Sequence, residues 1–117
     1  MTPAPLKSPI AFDALAAIDI RVGTIERVEE VPASDKLLRL TVNFGDHTRR
    51  ILAGFRKERA NPQEIAGRQA LFVVNLPPRP MAGEVSEGML FDLGFADGIP
   101  PRLAVPETPV PNGTRAG

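Results

Sequence analysis

Leu38, Leu40, Val42 and Phe44 alternate without a break with Arg39, Thr41 and Asn43. Only an extended chain turns every second side chain to the same side, so this stretch is a strand with one apolar and one wet face. Gly45-Asp46 follows as a tight-turn signal, and Thr48 to Ala53 reads as the return strand of a hairpin. Upstream, Ile18, Ile20 and Val22 alternate with Asp19 and Arg21, and Ile25 and Val28 continue on a shifted phase. Gly23, at the break, predicts a bulge or sharp bend of the kind small closed barrels need. Pro32-Ala33-Ser34-Asp35 supplies turn chemistry between these two strands.

Downstream, Asn61, Pro62 and Glu64 resemble an N-cap, a first-turn proline and a capping-box carboxylate. Gly67 falls where a C′ glycine would, which predicts a helix of about a turn and a half at most. Ala70 to Val74 is a continuous apolar run of strand length, predicted buried on both faces. Pro77, Pro78 and Pro80 predict no regular ladder immediately after it, and Gly88 to Leu93 offers a last strand. Three strands, a short helix and two strands make an all-β order. It is the layout of an OB-fold, a five-stranded, partly open Greek-key barrel with its helix between the third and fourth strands.

The 117 residues suffice for one domain. We divide them into an N-terminal arm (1–11), the barrel (12–99) and a proline-rich C-terminal arm (100–117). From Pro100 to Pro111 five of twelve residues are proline, so the last arm is expected to lie extended. Its apolar Leu103, Val105 and Val110 predict a part in a homodimer interface.

Several function classes drop out on composition. With no cysteine there is no disulfide scaffold, zinc knuckle or thiol catalysis, and a single histidine, His47, argues against a metal site or cofactor-bound centre. Ser86 has no base at hand, because His47 lies far off in the predicted hairpin turn, and Glu29-Glu30 would point to opposite faces of a strand. No glycine-rich phosphate loop is present. We therefore expect no catalytic residue. No apolar run approaches the roughly 20 residues that span a bilayer, and the N-terminus has no apolar signal core. The expectation is a cytoplasmic protein without membrane contact.

Formal charge is zero overall, but residues 49–80 carry Arg49, Arg50, Arg56, Lys57, Arg59, Arg68 and Arg79 against Glu58 and Glu64, a local balance of +5. A solvated loop face is the plain meaning of such a run; a footprint for a polyanion is the sharper one. Arginine outnumbers lysine eleven to three, which suits bidentate phosphate contacts. Phe44 and Phe72 fall on core positions, so stacking of several bases is poorly supported, whereas a folded RNA read by shape asks for fewer aromatics.

The segment from Asn75 to Met89 reads either as a proline-stiffened loop with Met81 and Met89 as core filler, or as a rigid loop at a barrel mouth. In the second case Asn75 and Ser86 offer hydrogen bonds, Arg79 a phosphate contact and Met89 a soft apolar surface. This segment, Asn75-Leu76, Pro78, Met81, Gly83 and Ser86-Glu87-Gly88-Met89, resembles the N-L-x-P-x-x-M-x-G-x-x-S-x-G-M signature of the tRNA-binding domain family. Asp19-Ile20-Arg21-Val22-Gly23, Ser34-Asp35-Lys36-Leu37 and Ile51-Leu52-Ala53-Gly54 are similar to its D-[IL]-R-V, A-D-K-L and I-V-S-G segments, with Ala53 in place of the usual serine. The likeness covers roughly residues 12 to 105. The family includes a C-terminal appendage of methionyl-tRNA synthetases, the endothelial monocyte-activating polypeptide domain and CsaA-like proteins.

The resemblance implies a non-catalytic OB-fold homodimer that binds tRNA. By position it makes Lys36, Asn75, Arg79, Ser86 and Met89 the candidate contacts, with the basic run in support. Pro77-Pro78-Arg79 and the ending from Pro109 to Thr114 look more CsaA-like, which implies a rival reading as a chaperone or secretion factor that docks unfolded polypeptide. An adaptor that recruits an aminoacyl-tRNA synthetase is the other rival.

Overall fold

A computed structural model describes residues 3–117. Five strands make the barrel: β1 (Ile20–Glu30), β2 (Leu38–Asn43), β3 (Thr48–Ala53), β4 (Gln69–Val73) and β7 (Met89–Leu90). They pair antiparallel in the order β3-β2-β1-β4-β7. The fourth strand thus returns beside the first, which is the Greek-key arrangement. β1 is long enough to serve two partners, pairing with β4 over Ile20–Thr24 and with β2 over Thr24–Glu30.

β3 and β7 share no ladder, and hydrogen bonds bridge the seam between them. Glu87 N–H donates to Arg50 O at 2.8 Å, and Arg50 N–H to Glu87 Oε1 at 2.9 Å. This is the partly open barrel that the order of elements predicts. Leu38, Leu40 and Val42 turn inward as their alternation requires, and meet Ile25, Ile51, Ala70, Phe72 and Leu90 in one core. Phe44 and Phe72 pack edge to face there, 5.5 Å apart. Burying each such side chain contributes on the order of 1.5–3 kcal/mol.

The bend in β1 is built differently from the expectation. Its register against β2 shifts between Ile25 and Arg27, so the bulge falls at Glu26, not at Gly23. Gly23 is needed for closeness instead: a Cβ there would stand 2.5 Å from Val42 Cγ1 and 2.9 Å from Phe44 Cε1. Ile18 lies outside the strand and is exposed.

The expected helix is a 3₁₀ turn, Pro62–Ile65, with Pro62 at its start. Asn61 makes no side-chain cap, and Glu64 pairs with Arg59 rather than closing a capping box. Tertiary bonds hold the turn: Ile65 is fully buried in the core, and Gln63 Nε2 donates to Val28 O at 2.7 Å. Gly67 does take the left-handed conformation, with φ +84°.

Pro77, Pro78 and Pro80 do not exclude a ladder. β5 (Arg79–Met81) and β6 (Glu84–Ser86) form a small hairpin across Ala82-Gly83, both at positive φ. Pro80 opposes Val85 between the two hydrogen-bonded pairs, where an edge strand needs no donor from it. The last strand is interrupted: β7 closes the barrel, and β8 (Asp92–Leu93) leaves it to pair with β9 (Arg102–Leu103).

The C-terminal segment folds back on its own barrel. Pro101 is fully buried, and β10 (Arg115–Ala116) pairs with the start of β1. The Gln69 side chain donates to Val110 O and accepts from Val110 N–H, so its amide stands in for a strand neighbour. This wrapping half-covers Leu71, whose N–H donates to Ala104 O at 3.0 Å. Near the N-terminus a short helix that the sequence reading did not anticipate, α1 (Phe12–Ala16), buries none of its side chains.

Candidate nucleic-acid interface

β3 sets up the site. Ile51 and Ala53 face the core, so Leu52 between them faces out, yet it too is buried. What covers it is the β5–β6 hairpin: Met81 packs on Leu52, Leu37 and Val31 in a second, smaller cluster on the outside of the barrel. Between hairpin and barrel lies a furrow of about 340 Å³, lined by Leu52, Leu76, Pro77, Arg79, Met81, Ser86, Gly88 and Met89. A shallower depression of about 140 Å³ continues it past Leu52 and Met89 to Phe55, Asp92 and Phe95. The floor is apolar and the rim polar, as ligand grooves generally are.

The furrow brings together three of the five candidate contacts, Arg79, Ser86 and Met89. Arg79 is exposed on the edge strand and, among the described residues, forms no ion pair. Met89 is 44% exposed and is furrow wall rather than core filler. Ser86 is only 4% exposed, and its hydroxyl is spent: Oγ accepts from Leu52 N–H and donates to Gly88 O, both at 3.0 Å. It fixes the base of the hairpin to β3.

Asn75 is likewise occupied, although exposed. Its Oδ1 accepts from Asp19 N–H at 2.8 Å and its Nδ2 donates to Ala17 O at 2.7 Å, pinning α1 to the end of β4. It lines a different cavity, of about 620 Å³, with Phe12, Leu15, Ile18 and the C-terminal Arg115, Ala116 and Gly117. Lys36 is exposed in the loop before β2, beside the Leu37 that Met81 covers.

Most of the basic run is already engaged. Arg56 is paired with Glu30 and donates to Ser34 O, Lys57 meets Asp35 at 2.9 Å, and Arg59 meets Glu64 at 2.8 Å. The Lys57 ammonium holds the Asp35 carboxyl below its ordinary range. Arg49 reaches Val74 O at 2.6 Å and Glu87 O at 3.1 Å, stitching β3 to the loops beside it, and its guanidinium lies over Phe44. His47 is exposed in its turn, as read, but also stacks on Phe44 and accepts from Arg49 Nε at 3.0 Å. Among the described residues Arg49 bonds only carbonyls and His47, and the side chains of Arg50, Arg68 and Arg79 make neither a hydrogen bond nor an ion pair. Arg68 lies elsewhere, in a depression under the C-terminal segment.

Two features here escaped the sequence reading. Leu52 in the outward register of β3 was the available signal, since an apolar residue on a strand's wet face implies a cover. The other is Arg39, whose guanidinium grips Glu84 of β6 through Nε–Oε1 at 2.6 Å and Nη2–Oε2 at 2.5 Å. Nothing in the sequence brings those two residues together.

Among the described residues no cluster of three His, Cys, Asp or Glu side chains could hold a metal, and no helix is long and apolar enough to cross a membrane. A Greek-key barrel with an apolar furrow edged by one exposed arginine, Arg79, has the architecture of an OB-type binding module. The chain belongs to the family described as "Putative tRNA binding domain", whose pattern matches residues 20–115. A methionine–tRNA ligase of Porphyromonas gingivalis (strain W83) is 45% identical over 95 residues, which is 81% of this chain and 14% of the ligase. The chain therefore spans about a seventh of the length of that relative. The methionyl-tRNA synthetase-related protein of Pyrococcus horikoshii superposes with a TM-score of 0.86 at 31% identity, covering 95% of this chain and all of that one. The chaperone CsaA of Bacillus anthracis superposes with a TM-score of 0.81 at 32% identity, covering 94% of this chain and all of that one.

Proposed function

We propose that this chain is a non-catalytic, structure-selective tRNA-binding protein that acts as a homodimer in the cytoplasm. The observation that carries the reading is the Arg79 guanidinium, exposed on the β5–β6 hairpin and without an ion pair among the described residues, on the lining of an apolar furrow in a tRNA-binding family fold. Arg50, whose backbone meets Glu87 beside the furrow, and the exposed Lys36 are further cations that phosphate would reach, while Asn75 and Ser86 serve by positioning. A rim of few charges reads backbone and shape, and the furrow beneath it tolerates sugar and base edges.

The dimer contact we place at α1. Ile10, Phe12, Leu15 and Ile18 are all more than two-fifths exposed there, beside the large cavity that the C-terminal residues 115–117 also line. A contiguous apolar surface of this kind on so small a barrel fits burial against a second copy. Light scattering should then give twice the chain mass.

Titration against total tRNA, a perfect RNA duplex and an unstructured single strand, at two salt concentrations, tests the function. Tightest binding to tRNA supports it; equal binding to all three removes the structure selectivity. A polypeptide-docking role is the second reading, favoured by the methionine-walled furrow and the likeness to the CsaA chaperone. Suppression of client aggregation without tRNA binding would replace the first reading by this one. Recruitment of a separate synthetase would show as co-elution with that enzyme.

A further inference from the structure

We infer that Arg39 and Glu84 are positioning residues: their ion pair latches the β5–β6 hairpin onto the barrel and so holds Arg79 where it meets RNA. This rests on the tRNA reading above.

The hairpin carries Arg79 on β5, yet among the described residues β5 has no ladder partner other than β6. Its orientation therefore depends on how β6 is attached. At the base, Ser86 Oγ accepts from Leu52 N–H, and Glu87 follows with its bonds to Arg50. At the tip, the attachment is the Arg39 fork on Glu84, the residue that opposes Met81 across the hairpin. Met81 packing on Leu37, Leu52 and Val31 adds contact there, but apolar contact is non-directional and does not fix an angle. A two-bond guanidinium–carboxylate fork does fix one.

The pair is also sheltered, with both side chains about one-fifth exposed, so solvent competes with it less than with the surface pairs of Arg56 and Lys57. Arg39 has further support from Glu29 on β1 at 3.5 Å, which steadies it from the other side. Three strands thus converge on the latch, and a short isolated hairpin, marginal on its own, is made rigid by it. With both of its forked nitrogens on Glu84, Arg39 is not offered to phosphate; its effect passes through the hairpin.

The test uses the full chain with three variants, Glu84→Gln, Arg39→Met and the double, and two readouts. The first is amide hydrogen exchange of residues 79–86 compared with β1 to β4. The second is affinity for total tRNA at low salt. We expect Glu84→Gln to speed exchange in the hairpin while the barrel strands keep their protection, and to weaken tRNA binding roughly five- to tenfold. Arg39→Met should do the same, and the double variant should be no worse than either single change, because both remove one interaction.

Unchanged hairpin exchange in Glu84→Gln overturns the latch. So does unchanged tRNA affinity in a variant whose hairpin has loosened, or losses that multiply in the double variant. Tighter binding by Glu84→Gln also overturns it, since that would mean a freed Arg39 contacts phosphate itself. If the parent protein binds no tRNA, the functional reading fails separately, while the exchange data still decide whether the latch exists.

Discussion

Arg79 and Ser86 stand opposite each other in the hairpin register and do opposite work. Arg79 touches nothing in the barrel through a hydrogen bond or ion pair among the described residues, so Arg79→Ala should leave the melting temperature unchanged. It should weaken tRNA binding by about 1–3 kcal/mol, the loss of one charge-assisted contact. Ser86→Ala leaves the Leu52 N–H without its side-chain acceptor and should lower folding stability by about 1–3 kcal/mol in thermal or denaturant melts. If Arg79→Ala lowers stability as much as Ser86→Ala, the assignment of roles is wrong. Met89→Ala separates the two ligand classes, because Met89 is wall rather than core: it should matter to polypeptide binding and little to tRNA. At this scale residue type was legible and commitment was not. Asn75 and Ser86 carry groups suited to a ligand, but only the fold tells that Asp19, Ala17, Leu52 and Gly88 already hold them.

Among the elements, the strands with one wet face were readable because burial enforces their period: a slip of one residue in β2 would turn Leu38, Leu40 and Val42 into water. Elements held by tertiary bonds were not, which is why the capping box at Asn61 failed and the hairpin among the prolines went unseen. α1 is of the second kind, and its apolar Phe12 and Leu15 stay more than half exposed among the described residues. Leu15→Asp should therefore leave the circular dichroism of the barrel intact and give a species of single chain mass by light scattering; a persistent dimer would move the interface elsewhere. Deleting residues 100–117 is a poorer test of the same contact, because it also removes the strand on β1 and the buried Pro101, and should lower the melting temperature outright. Three ion pairs, that of Asp19 with Arg21 local to the start of β1, shape the acid limit. Arg39 holds Glu84, Arg21 holds Asp19 and Lys57 holds Asp35 below their ordinary pKa values. A folded pKa below the unfolded one contributes full stability at pH above the unfolded value, and that contribution is lost as pH falls from there through the lowered folded value. Melting temperature should thus begin to drop below about pH 5, keep dropping as pH falls through the lowered folded values, and drop less in Glu84→Gln.

Taken as a whole molecule, the protein presents less charge to a polyanion than its sequence suggests. The stretch 49–80 shows a local balance of +5, but Arg56, Lys57 and Arg59 each face a carboxylate, and Arg49 is spent on carbonyl oxygens. Near the furrow, the cations without an ion pair among the described residues include Arg79 on its lining and Arg50, whose backbone meets Glu87; Lys36 is exposed in the loop beside Leu37. Zero net charge adds no long-range attraction to these. Binding should accordingly release few counterions: about two or three phosphates per protomer, which gives a slope of roughly −2 to −3 for log affinity against log salt, and about twice that if one tRNA spans both protomers. Affinity measured from low to physiological salt checks this directly. In Arg79→Ala the slope should become shallower by about one per binding protomer, whereas Lys57→Ala, which removes a cation already paired with Asp35, should leave it unchanged. A steep slope that Lys57→Ala reduces as much as Arg79→Ala would mean that the surface pairs open on binding and that the whole basic run, not the furrow rim, is the footprint.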